Sequence, residues 1–174
     1  MVMFSRKELE KQIKEHAVTR GEFILASGKK SSYYVDLKKA YTDPDVMVMI
    51  VEGMREVMKD ENIDRIAGIE MGGVPIATAL SLKTGIHFII IRKKKKGHGT
   101  DKRIEGKIRE GDNVLIVEDT VTTGGSVKAG VEAVREIGGR CTLVISVVDR
   151  LEGAYENLEK VNIRLKSLVT LKDL

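Results

Sequence analysis

Two adjacent acids, Glu118 and Asp119, are followed directly by Thr120, Val121, Thr122, Thr123, Gly124, Gly125 and Ser126. Paired carboxylates can accept hydrogen bonds from sugar hydroxyls or touch a metal ion. A run of hydroxyl and glycine residues can turn several backbone N–H groups toward one anion, and a helix starting there adds its positive end. A phosphate held beside two carboxylates is the pattern of a sugar-phosphate site. The aliphatic run Val114, Leu115, Ile116 and Val117 reads as a parallel strand covered on both faces. The acids are expected where that strand runs out, with residues 122–126 turning into the next helix. Open α/β sheets bind ligands outside the carboxyl ends of their strands.

A second cluster is cationic. Arg92, Lys93, Lys94, Lys95 and Lys96 are consecutive, and His98 follows between Gly97 and Gly99. Residues 92–106 hold a single aliphatic side chain, Ile104, and three glycines, so this segment has little to fold around. A polar loop of that length is usually a binding segment or lid. Lysines would bring charge to an anionic ligand, and the glycines would let the loop swing. Lys94, Lys95, Lys102 and Arg103 read as solvated charges.

The elements that must carry these clusters alternate. Ser5 and Glu8 have capping-box spacing for a helix that Gly21 is expected to end. Short strands are expected at 23–25 and 33–37, around a Ser-Gly-Lys-Lys-Ser turn. Asp43 and Pro44 open a helix to about Lys59, with Val46, Met49, Ile50, Met54 and Met58 toward one side. Strands follow at 65–69, 86–91, 113–117 and 140–148, and an edge strand at 163–170. Helices are expected from the Gly72-Gly73-Val74-Pro75 turn to Lys83 and from Gly125 to Ile137, the latter with Val127, Val131 and Val134 inward. Repeated βα units imply an α/β fold: a mostly parallel twisted sheet flanked by helices. The whole chain, 1–174, reads as one domain, with residues 1 to about 40 forming a small N-terminal hood over the strand ends.

Composition removes several classes of function. Apolar residues make up 42% and charged residues 32%, an ordinary soluble balance. No apolar run approaches the roughly 20 residues of a membrane span, and the N-terminus lacks the order of a secretory signal. The lone Cys141 sits in an aliphatic run and reads as a small buried hydrophobe. A cytoplasmic location is the expectation. The net charge of +4 is mild, and with only 4% aromatic residues and no nucleic-acid-reading motif, a nucleic-acid partner is not expected. His16 and His87 read as structural, one on a helix and one in a strand.

The acid pair and its turn resemble the signature of the type I phosphoribosyltransferases, which bind phosphoribosyl pyrophosphate (PRPP). An aliphatic residue is commoner than a threonine where this chain has Thr120. Arg92, Lys93, Lys96, His98 and Gly99 are similar to the catalytic loop of the orotate phosphoribosyltransferases. So are Phe23, Leu25, Ser27, Gly28, Ser31 and Tyr33 to that family's N-terminal segment, and Asp149-Arg150-x-Glu152-Gly153 to a segment near its end. The likeness runs in order over nearly the whole chain. It implies transfer of a phosphoribosyl group from PRPP to orotate, with Mg²⁺, in a homodimer whose catalytic loop reaches the neighbouring subunit.

Residue by residue, the resemblance implies that Arg92, Lys93, Lys96 and His98 act on the pyrophosphate. Glu118 and Asp119 would hold the ribose, Thr120 and Val121 would line the same site, and Thr122, Thr123, Gly124, Gly125 and Ser126 would cradle the 5′-phosphate. Thr122, Arg150, Tyr34 and Val35 would meet orotate. Magnesium would arrive through PRPP, with Asp119 as the candidate protein contact and no dedicated ligand set. Two departures stand out: Ala26 and Gly72 occupy positions where members of the family carry lysines. Lys29 or Lys30 could compensate for the first. A superfamily enzyme using a purine or uracil, and a PRPP-sensing regulator, are the competing readings.

Overall fold

Side chains alternate across a strand, so an aliphatic run in mid-sheet must feed two cores at once. This is what Asn113–Val121 does: Leu115 and Val117 join one buried cluster, Val114 and Ile116 the other. The computed structural model describes residues 4–24, 30–93 and 103–174.

In chain order the elements are α1 (Arg6–Ala17), β1 (Val18–Ile24), β2 (Lys30–Val35), α2 (Leu37–Tyr41), α3 (Pro44–Met58), β3 (Arg65–Ile69), α4 (Gly73–Thr84), β4 (Phe88–Ile91) and β5 (Ile104–Glu105). They continue with β6 (Asn113–Val121), α5 (Gly125–Glu136), β7 (Arg140–Asp149), α6 (Ala154–Glu159) and β8 (Arg164–Thr170). Strands β1 and β2 form an antiparallel pair, Val18 opposite Val35. The main sheet has six strands in the order β5-β4-β3-β6-β7-β8, parallel except for β5 at one edge.

One face is covered by α1, α2, α3 and α4, through Leu9, Ile13, Leu37, Ile50, Met54, Ile76 and Leu80. The other is covered by α5 and α6, through Val127, Val131, Val134 and Leu158. The stripe expected on α5 is therefore inward, and Met54 and Met58 fill core space. Cys141 is buried and free, its thiol pushed up to about 11 chiefly by burial.

Helix starts follow their capping residues. Ser5 Oγ accepts from the Glu8 N–H, and Asp43 accepts from Asp45 and Val46 N–H ahead of Pro44. Several boundaries differ from the sequence reading. α1 stops at Ala17, four residues before Gly21, because β-branched Val18 and Thr19 pair with β2 instead. β2 ends at Val35, and Leu37 turns inward as the first residue of α2, capped by Asp36 accepting from the Lys38 N–H. β6 continues through the acids to Val121, held by pairing of Thr120 with Val148. His87 lies outside β4, exposed, with its carbonyl accepting from Ile66 N–H.

Strand order fixes where a ligand can enter. From β3 the chain moves outward to β4, then returns to the other side of β3 as β6 and moves outward again to β7 and β8. The loops leaving β3 and β6 thus diverge, opening a crevice between their carboxyl ends.

Candidate functional site

The crevice between β3 and β6 is a cavity of about 360 Å³. Its lining combines the acid pair and residues 120–127 with Met71 and Gly72, Lys93 and Lys38. Contact between the two loops is close. A Cβ on Gly72 would overlap the Asp119 carboxyl group, and one on Gly73 would overlap the Val117 carbonyl. The Gly72 turn can therefore approach the acids only because it has no side chain.

The acids differ in environment. Glu118 is 6% exposed, and its carboxyl is pushed up to about 9, first by burial and then by the charge of Asp119. Lys93 opposes that shift weakly. Burial and the charge of Asp119 both favour the protonated form of Glu118 in the ligand-free protein. Asp119 is better placed to meet a ligand; its Oδ1 accepts from Thr120 N–H at 2.7 Å. Behind the pair lies Tyr41, its phenol pushed up to about 12 by burial and by the surrounding Asp119, Asp36 and Glu118.

The turn after β6 is built to present amides. Gly124 has φ +81°, a left-handed conformation that glycine adopts without strain, and no side chain caps α5. Its position is braced from behind: Asn157 Nδ2 donates to the Thr123 carbonyl at 3.0 Å, and Leu158 packs under Gly124. The first-turn amides of α5 consequently face the cavity with the positive end of the helix behind them.

Of the other expected residues, Arg150, Tyr34, Val35 and Arg92 are not part of this lining. Arg150 follows β7, and its N–H donates to the Val121 carbonyl, beside the start of the turn. Its Nε is 3.2 Å from Glu152 Oε1, yet among the described residues this buried Nε has no hydrogen-bond partner. Tyr34 is exposed, with its ring 5.7 Å from that of Phe23, and Val35 is half-buried at the end of β2. Arg92 turns toward Glu70 and Glu105, at 4.0 and 3.4 Å, and the Lys93 N–H donates to Glu70. Lys96 and His98, with Lys94, Lys95, Gly97 and Gly99, lie outside the described residues, as do Leu25, Ala26, Ser27, Gly28 and Lys29.

A larger cavity, about 840 Å³, opens at the opposite end of the sheet between the start of β4 and the end of α5. Its Arg65 is paired with Asp112, and its Arg103 donates to the carbonyls of Arg92 and Ala129. It contains neither the acids nor the turn, so size is a poor guide to the chemistry here.

A phosphoribosyl transferase domain model matches residues 39–169. Orotate phosphoribosyltransferase of Methanocaldococcus jannaschii is 51% identical over 99% of this chain and 98% of its own. The chain belongs to the orotate phosphoribosyltransferase family. The Pyrococcus furiosus member is 47% identical over 97% of this chain and 94% of its own. The Mycobacterium tuberculosis orotate phosphoribosyltransferase, solved in complex with PRPP, superposes with a TM-score of 0.83 at 36% identity, covering 97% of each chain.

As a member of this family, the chain shows two residues that sequence reasoning missed. Lys38 reaches the cleft because residues 37–41 form a helix, where a strand extending to 37 was expected. Asn157 secures the turn from α6, a short helix not anticipated. An Asp followed by Leu-Lys-Lys-Ala-Tyr was the available signal for α2: an N-cap ahead of good helix formers.

Proposed function

We propose that the crevice between β3 and β6 is the PRPP site of an orotate phosphoribosyltransferase. The chain transfers the 5-phosphoribosyl group to orotate, releasing pyrophosphate and forming orotidine 5′-monophosphate, a step of pyrimidine biosynthesis. One observation carries the site assignment: the acid pair, the amide-presenting turn and the Gly72 turn line a single cavity at the point where strand order reverses.

In this reading residues 122–126 receive the 5′-phosphate on the α5 amides. Asp119 and Glu118 hold the ribose hydroxyls, with Thr120 and Val121 completing that wall. Departure of pyrophosphate breaks the C–O bond at the anomeric carbon, and a ring nitrogen of orotate forms the new bond there. The anomeric centre passes through an oxocarbenium-like state, as in glycoside transfer. Orotate is already anionic, so no strong base is needed; the charge gathering on pyrophosphate is what must be stabilised. Lys93, Arg92, Lys96 and His98 are assigned to that charge. Arg150 offers a guanidinium fork to the orotate carboxylate, beside Thr122, with Tyr34 and Val35 at the edge of the base pocket.

Magnesium fits this donor set as an ion delivered by substrate. Among the described residues no three His, Cys, Asp or Glu side chains converge on one point, while Asp119 offers a single accessible carboxylate. Magnesium is commonly held by one or two carboxylates together with substrate phosphates. When bound it neutralises phosphate charge. A homodimer sharing the loop that carries Lys96 and His98, and residues up to about 40 as a hood within one domain, complete the proposal. The cytoplasm is its proposed location; no helix among the described residues is long and apolar enough to cross a membrane.

The test is loss of orotate absorbance with PRPP and Mg²⁺, run beside adenine, hypoxanthine and uracil. Orotate alone should be consumed. Turnover of another base with orotate inert would overturn the substrate.

A further inference from the structure

Asp119 creates a problem for any diphosphate entering this cleft, because carboxylate and phosphate repel. The obvious remedy, a cation on the turn after β3, is missing here: position 72 is a glycine, and a Cβ on it would overlap the Asp119 carboxyl group. The cation must come from another element. Lys38, on the first turn of α2, lines the cavity with Asp119, Met71, Gly72 and Lys93.

The position of Lys38 is set by packing. Asp36 caps α2, and Leu37, Ala40 and Tyr41 are buried, so one face of the short helix is fixed and Lys38 projects from the other. Its Nζ lies 3.9 Å from Asp119 Oδ2 and 3.8 Å from Asp36 Oδ1. Both separations exceed the 2.7–2.9 Å or so of a charge-assisted hydrogen bond. Among the described residues, no hydrogen bond engages this ammonium, and its side chain is 54% exposed. Two carboxylates hold it at the mouth of the cleft while its three donors remain available.

We propose that Lys38 is a substrate-binding residue that holds the diphosphate of PRPP beside Asp119, supplying the charge that the Gly72 turn cannot carry. The proposal rests on the assignment of this cleft to PRPP. A bound diphosphate would replace the long contact to Asp119 with a short one to phosphate oxygen. Lys38 would then contribute to both PRPP and pyrophosphate affinity, and little to ribose 5-phosphate.

The test compares wild type, Lys38→Met, Lys38→Arg and, as a neighbour control, Lys39→Met, by titration calorimetry with magnesium pyrophosphate and with ribose 5-phosphate. Wild type comes first: if it binds neither ligand, the PRPP cleft itself is rejected, a failure separate from that of Lys38. Given wild-type binding, Lys38→Met should weaken pyrophosphate at least about tenfold, the scale of one lost charge-assisted hydrogen bond. Ribose 5-phosphate should change less than about twofold, Lys38→Arg should restore most of the loss, and Lys39→Met should resemble wild type. Unchanged pyrophosphate affinity in Lys38→Met overturns the proposal. Equal losses for both ligands also overturn it, since Lys38 would then act only as a prop for Asp119. Melting temperatures of all four proteins identify any variant that has lost its fold, and Lys38→Arg keeps the comparison decisive.

Discussion

Replacing Glu118 by Gln removes a carboxyl whose ionisation the ligand-free fold disfavours. The carboxyl is pushed from its ordinary 4.5 up to about 9 by burial and by Asp119. Between those values the folded protein keeps a proton that the unfolded chain has lost. Stability associated with this group is therefore fully present at low pH and declines as pH rises from about 4.5 toward 9. A difference of one bound proton gives a slope of about 1.4 kcal/mol per pH unit. Lys93 opposes the shift, so the slope is shallower than that limit. From about pH 6 to about pH 8 the wild type should lose on the order of 1–3 kcal/mol that Glu118→Gln does not lose. Urea midpoints of both ligand-free proteins across that range give the measurement, read as the difference between them so that other titrating groups cancel. The gap should widen with pH in favour of the Gln variant. A constant gap would refute the argument, placing Glu118 in its ionised form throughout.

Asp119→Asn should chiefly raise the KM for PRPP, because the more accessible acid of the pair loses its charge; unchanged PRPP affinity would remove Asp119 from the ribose site. Gly72→Ala should weaken PRPP by about tenfold or more while the protein still folds, since the new methyl must displace the Asp119 carboxyl and a single lost charged contact is of that scale; wild-type titration curves would contradict the close packing of the two loops. Lys96→Ala or His98→Ala should lower kcat far more than PRPP binding, and equal losses in both would argue against a transition-state role.

Much of the fold was legible before any coordinates. The aliphatic strands, the Asp43-Pro44 helix start and the valine stripe on α5 are local patterns, and each element forms where its pattern lies. Boundaries were less legible wherever pairing outweighed propensity. Gly21 could have ended α1, but Val18 and Thr19 gain more by joining β2. Glu118 and Asp119 would ordinarily end a strand, yet pairing with β7 carries β6 through them to Val121. The sequence pattern put Asp36 inside a short strand and Lys38 nowhere in particular. Packing of Leu37 and Tyr41 into the core made the one a cap and put the other at the cleft.

The sequence by itself determined the chemistry on offer: two acids, an amide-rich turn and a cationic loop, in an order that resembles one enzyme family. It also determined the two-faced strands, because alternation is written residue by residue. Only the tertiary structure decided that β6 returns beside β3, so that a glycine turn some forty-seven positions upstream closes on Asp119. It also decided the protonation of Glu118 and the approach of Lys38, for a shared physical reason. Burial and the distance between charges belong to elements remote in sequence, and neither exists until the chain has packed.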